Sequence, residues 1–186
     1  QDCLGNTASD QVSSFVRYGT PFADDIVITE IFADPTPSVG LPEAEFVEIY
    51  NNTDKTLSLD QLLLNGEVII SNEPFASEQY FILCPMEQID LFSEYTNVVG
   101  VESWDALTNS GESITLQNAA GDTINQVTYA ATWYDDEQKD GGGYSLEMIN
   151  IAHLCKGDDN WTASNDESGG TPTNVNSVFA DALDVN

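Results

Sequence analysis

An all-β fold built from short strands is what this sequence predicts, and three observations predict it. Short runs rich in β-branched and aromatic residues recur from Ile26 to Ile149. Clusters of Gly, Asn, Asp and Pro separate them. No long amphipathic helix and no exact internal repeat breaks the series, which argues for an antiparallel sandwich or barrel and against a propeller or solenoid.

The elements follow in order. Residues 1–24 are mixed and polar, and Val12, Phe15, Val16 and Tyr18 could pack as a short edge element or one helical turn. Ile26–Phe32 and Glu45–Tyr50 read as strands around a loop holding Pro35, Pro37, Gly40 and Pro42, since Pro and Gly stop strands. Asn51-Asn52-Thr53-Asp54 and Asn65-Gly66 suit tight or left-handed turns, bracketing strands at Gln61–Leu64 and Glu67–Ile70. Further strands are expected at Gln79–Cys84, Asn97–Val101, Ser113–Gln117, Thr123–Tyr129 and Tyr144–Ile149. Ala119-Ala120-Gly121-Asp122 joins two of them as a hairpin, and Met86–Tyr95, with Ile89, Leu91 and Phe92, is the best helical candidate. Asn165–Asn186 reads as loop, its Asn165-Asp166-Glu167-Ser168-Gly169-Gly170-Thr171-Pro172 run being unsuited to regular structure.

The 186 residues are enough for a core without staples, and 41% apolar content is too high for a disordered chain. Thirty-two acidic residues against four basic ones, Arg17, Lys55, Lys139 and Lys156, give a net charge of −28. That field opposes nucleic acid and anionic lipid, and it favours solubility and divalent cations. A well-solvated surface suited to salty or extracellular surroundings is the simplest account. No apolar run is long enough to cross a bilayer, so membrane insertion is not expected. Gln1 reads as a first residue left by processing, and the acidic end, Asp181-Ala182-Leu183-Asp184, as a linker within a longer protein.

Three cysteines allow three pairings, each leaving one thiol over. Cys84–Cys155 is favoured; it would close a loop stabilising the fold by roughly 4 kcal/mol in the chain-entropy model, in an oxidising compartment. The alternative is Cys84 as a small buried hydrophobe.

Several constellations offer residue types that can carry chemistry. His153 is the single histidine, which excludes a multi-histidine zinc site. A Cys155–His153 pair two residues apart in a loop seldom faces correctly, no Gly-x-Ser-x-Gly elbow exists, and Gly141-Gly142-Gly143 lacks the Lys-Ser/Thr of a phosphate loop. Glu30 and Glu48 come near one another if the first two strands pair, but a glycosidase needs its two carboxylates in a cleft. Asp135, Asp136, Glu137 and Asp140 offer calcium four carboxylates in one loop, and Asp158-Asp159-Asn160 with Asn165-Asp166-Glu167 offers more; neither has EF-hand spacing. Trp104, Trp133, Tyr134 and Trp161 could form a sugar-stacking platform, or pack the core. Asn51-Asn52-Thr53 and Asn160-Trp161-Thr162 are glycosylation sequons, and Asp122-Thr123-Ile124 resembles a short bacterial O-glycosylation signal.

With these residues in place, the chain resembles the lamin-tail domain, more closely its secreted bacterial form, over about Asp24 to Val178. The likeness rests on Ile28-Thr29-Glu30-Ile31-Phe32-Ala33-Asp34-Pro35, on Glu45-Phe46-Val47-Glu48-Ile49-Tyr50-Asn51 and on Leu107-Thr108-Asn109-Ser110-Gly111-Glu112. It continues through Gly143-Tyr144-Ser145-Leu146-Glu147, Asn160-Trp161-Thr162 and Gly169-Gly170-Thr171-Pro172, in that order. The resemblance implies an immunoglobulin-like antiparallel β-sandwich over residues 24–178, between a polar segment, 1–23, and an acidic tail, 179–186. In bacterial relatives, cysteines recur at the positions of Cys84 and Cys155, which supports that pairing. Relatives often carry a Gly-Trp pair where this chain has Asp60-Gln61-Leu62-Leu63. The family has no catalytic residues, so the resemblance implies a secreted or cell-surface interaction or adhesion module, binding a protein or a cell-surface polysaccharide. The competing expectations are a calcium-dependent carbohydrate-binding module and an accessory domain of a secreted hydrolase.

Overall fold

The computed structural model describes residues 18–181, and its strands are β1 (Ile26–Phe32), β2 (Phe46–Asn51), β3 (Leu57–Ser58), β4 (Leu63–Leu64), β5 (Glu67–Val68), β6 (Pro74–Phe75), β7 (Tyr80–Pro85), β8 (Val98–Val101), β9 (Ser113–Gln117), β10 (Thr123–Thr128), β11 (Leu146–Met148) and β12 (Trp161–Ala163). They form a six-stranded sheet in the order β12-β11-β1-β2-β7-β8, a four-stranded sheet in the order β10-β9-β4-β5, and the ribbon β3-β6. This is the all-β, immunoglobulin-like sandwich the sequence predicts.

Side-chain alternation explains how the sheets face each other. In β2, Val47 and Ile49 point to the main core, as do Phe81 and Leu83 in the neighbouring β7. They meet Ile114 and Leu116 of β9 and Ile124 and Val127 of β10. The alternate residues of the same strands form the outer face of the six-stranded sheet. That face is not solvated. Phe32, Phe46, Ile82 and Cys84 pack there under Phe92 of the 3-10 turn Met86–Phe92 in a second apolar cluster.

Three details differ from expectation. Among the described strands one pair, β7–β8, is parallel, because the 3-10 turn carries the chain back along the sheet end before β8 begins. Met86–Tyr95 is thus a 3-10 turn over Met86–Phe92 and not an α-helix. The short β3 and β6 have too few residues to show alternation, and β12 forms because Trp161 and Ala163 complete the core beside β11. Val12, Phe15, Val16 and Cys3 lie outside the described residues. The chain stays tied to the domain past Val178: Ala180 donates to the Ile149 carbonyl and accepts from Asn150 Nδ2. No helix among the described residues is long and apolar enough to cross a membrane.

Candidate functional site

The residues with the most unusual chemistry are three glutamates on the outer face of the six-stranded sheet. Glu30 of β1 stands opposite Glu48 of β2 and Glu147 of β11, so the three make a row across adjacent strands. A bulge between Ile28 and Glu30 resets the alternation of β1 and brings Glu30 to the face of Glu48. All three side chains are 0% exposed. The cover is a strap, residues 169–180, that crosses the sheet.

The strap supplies donors. The Thr171 amide and the Ser145 hydroxyl donate to Glu30 Oε1, at 3.1 and 2.6 Å. The Thr173 amide donates to Glu48 Oε2 at 2.6 Å, and Thr29 Oγ1 donates to Glu48 Oε1 at 2.8 Å. Glu147 Oε1 accepts from Thr171 Oγ1, and its Oε2 accepts from Ser177 Oγ and the Val178 amide. Gly170 is required here, because a Cβ at that position would run into the Glu30 carboxylate. Gly169 has φ +96° and lies against the Gly143 carbonyl, so a side chain there is both strained and blocked.

Neither lysine nor arginine reaches the row among the described residues, so its charge has no counter-ion. Burial, then the charges of Glu48 and Glu147, hold the Glu30 carboxyl well above the ordinary carboxylate range. Burial pushes Glu48 up to about 8 even though hydrogen bonds from Thr173 and Thr29 favour its charged form. An isolated buried carboxylate is costly and takes a proton instead. Glu30 Oε2 is the one oxygen of the row without a partner among the described residues. The row therefore acts as a hydrogen-bonded fastener for the strap, closed to water and substrate. The adjacency of Glu30 and Glu48 follows from the expected strand pairing; the cleft a glycosidase would need is filled by the strap.

The other predicted site residues are not brought together. Cys84 and Cys155 are both free thiols, so the expected disulfide between them is not formed. Cys84 lies on β7 in the outer cluster, while Cys155 is exposed in the 3-10 segment Ile151–Asn160 leading into β12. Four strand steps separate β7 from β12, about 19 Å at the usual spacing, against a disulfide's limit of about 7 Å between Cα atoms. Burial pushes the Cys84 thiol up to about 12. A thiol reagent applied to the native protein is expected to modify Cys155 and spare Cys84, both reacting in denaturant. A linked Cys84–Cys155 peptide in a non-reducing map would contradict this arrangement.

Asp135, Asp136, Glu137 and Asp140 are all exposed. Asp136 Oδ1 is occupied by the Gln138 amide, and Lys139 reaches out of the loop to the Ser164 carbonyl and Asn165 Oδ1. In the second acidic stretch, Asp166 accepts from the amide and hydroxyl of Ser168. Among the described residues no group of three or more His, Cys, Asp or Glu side chains is arranged to hold a metal ion. The four aromatics do not make one platform: Trp104 binds Glu45 and Tyr134 is buried. Trp133 and Trp161 do pair, 6.0 Å between centroids, at the wall of a pocket of about 230 Å³. Both sequon asparagines are buried and spent: Asn51 Nδ2 donates to the carbonyls of Lys55, Phe75 and Ala76, and Asn160 Nδ2 to Asn150 and His153. Thr123 stays exposed on β10.

What the sequence reading missed is Glu147 and the strap. The signal was present, since Glu147 stands within an apolar run as Glu30 and Glu48 do.

Comparison with known proteins gave one match. The family model described as Lamin Tail Domain matches residues 20–131, more than half of the chain. No curated protein and no solved structure matches the chain. The matched region ends before β11, β12 and the strap.

Proposed function

The chain belongs to the lamin-tail domain family, and from that premise we propose that it is a non-enzymatic interaction or adhesion module, secreted or displayed at the cell surface as part of a longer protein. Domains of this family are usually interaction modules. The observation that carries the reading is the state of the glutamate row. Two of its members, Glu30 and Glu48, have raised pKa, and perturbed groups of that kind ordinarily mark candidate active sites. Here they are fully buried and the strap donates to at least one oxygen of each. Chemistry that would serve acid–base catalysis in an open cleft serves here to fix a preformed surface. The motifs of the secreted bacterial form and the acidic surface support the extracellular part of the reading.

A net charge of −28 selects the partner's sign. Electrostatic steering speeds association with a basic surface and opposes an acidic one. A protein partner presenting lysine and arginine fits best. Sugar binding is the second reading, favoured by the paired Trp133 and Trp161 beside their pocket.

A glycan array probed with and without calcium, beside a panel of hydrolase substrates, tests the proposal. Neither turnover nor strong glycan binding is expected. Turnover abolished by one carboxylate substitution or by changing His153 would overturn the non-enzymatic reading. Calcium-dependent binding to one glycan class would replace it with the carbohydrate-binding one.

A further inference from the structure

Beyond the glutamate row, the outer face of the six-stranded sheet ends in an open groove of about 240 Å³ between the sheet and the strap. Tyr50 of β2 and Tyr80 of β7 form its sheet wall, paired 4.7 Å apart between ring centroids. Val175 and Phe179 of the strap form its lip and are 60% and 52% exposed. An apolar opening of this kind is unusual on a chain with so many acidic residues.

The walls of the groove and the charge around it say what would fill it. Asn176, 8% exposed, lines the groove and spends Nδ2 on the carbonyls of Thr29 and Met148, at 2.9 and 2.8 Å. Those two acceptors fix the amide's orientation and tie the strap to the floor of the groove. The tyrosine pair lies beside the exposed carboxylate of Glu78, whose charge acts on Tyr50. Tyrosine faces attract a cation, and nearby carboxylates strengthen that preference.

We propose that this groove is the docking site for a basic peptide segment of a partner protein, one that sets an arginine or lysine on the tyrosine pair and an apolar side chain against Val175 and Phe179. Charge complementarity commits the choice of occupant, since a second copy of this chain brings the same −28. The proposal rests on the interaction-module reading and places its contact surface.

The probe is a fluorescein-labelled heptapeptide alternating arginine with leucine and phenylalanine, titrated by anisotropy at physiological salt against the whole chain. Saturable binding is expected. Replacing leucine and phenylalanine by glycine, or making the Val175→Ser, Phe179→Ser double variant, is expected to weaken it by at least about tenfold. Both substituted residues are exposed, so an unchanged melting temperature verifies the fold. The Val68→Ser, Ile70→Ser double variant, changed at exposed positions in and beside β5, is expected to bind as the parent does. Equal binding by the groove variant, equal binding of the arginine–glycine peptide, or equal weakening by the β5 variant would overturn the groove while leaving the interaction reading in place. Dimerisation of the parent chain that the groove variant abolishes would assign the groove to a second copy and overturn the proposal. Enzymatic turnover, by contrast, would overturn the reading beneath it.

Discussion

A chain ended at Ala131, where the family match stops, is expected not to fold. It would lack β11 and β12, and with them Leu146, Met148, Trp161 and Ala163 of the main core. Losing the three larger side chains removes on the order of 5–9 kcal/mol of apolar burial. It would also expose β1 as an edge and strip the strap from Glu30 and Glu48, taking away the donors at Thr171 and Thr173. Total stability of a domain is about 5–15 kcal/mol, so the loss consumes most of it. Circular dichroism melts of residues 18–131 and 18–181 decide the matter. A cooperative transition in the shorter chain at a temperature near that of the longer one would show that β11, β12 and the strap are an accessory to a self-sufficient fold.

The second large effect is on pH dependence. Glu48 holds its proton up to about pH 8 in the folded chain and loses it near 4.5 when unfolded, and Glu30 is displaced in the same direction. Between those values the folded state binds more protons than the unfolded one, so stability falls as pH rises. The stabilising contribution is fully present below pH 4.5 and is lost on passing through 8. Lowering the pH from 8 to 5 is expected to stabilise the protein by on the order of 4 kcal/mol, roughly 10 °C in melting temperature for a domain of this size. Glu30→Gln is the informative variant. It keeps an acceptor for Ser145 and Thr171 and places a neutral N–H₂ where Oε2 has no partner. It is expected to raise the melting temperature at pH 8 and flatten the dependence. A wild-type melting temperature that stays level or falls from pH 8 to 5 would remove the proton from the row.

Much of this was legible in the sequence because strand alternation and turn chemistry are local. Val47 and Ile49 against Phe46, Glu48 and Tyr50 specify two faces, and the turn-rich proline loop after β1 lets β2 return beside it. Glu30 beside Glu48 was readable on that basis. Their burial was not, because a glutamate in an alternating strand ordinarily marks the solvated face, and nothing local reports that a segment more than a hundred residues later will cover it. The Gly169-Gly170-Thr171-Pro172 run reads as loop, and it is loop; its role lies in amides and hydroxyls aimed at three carboxylates. The cysteines show the same limit. Cys84 on an apolar strand and Cys155 in a loop make a plausible pair in one dimension, and only the strand order sets them at opposite sides of the sheet.

The sequence by itself determined the all-β class, most strand positions, the family and the sign of the charge, since each depends on residue type and near-neighbour spacing. The tertiary structure decided which side chains are covered, that three acids line up buried under the strap, and that Tyr50, Tyr80 and Asn176 meet at one groove. Those depend on contacts between residues far apart in the chain, whose geometry is set by sheet order and by the path of the strap.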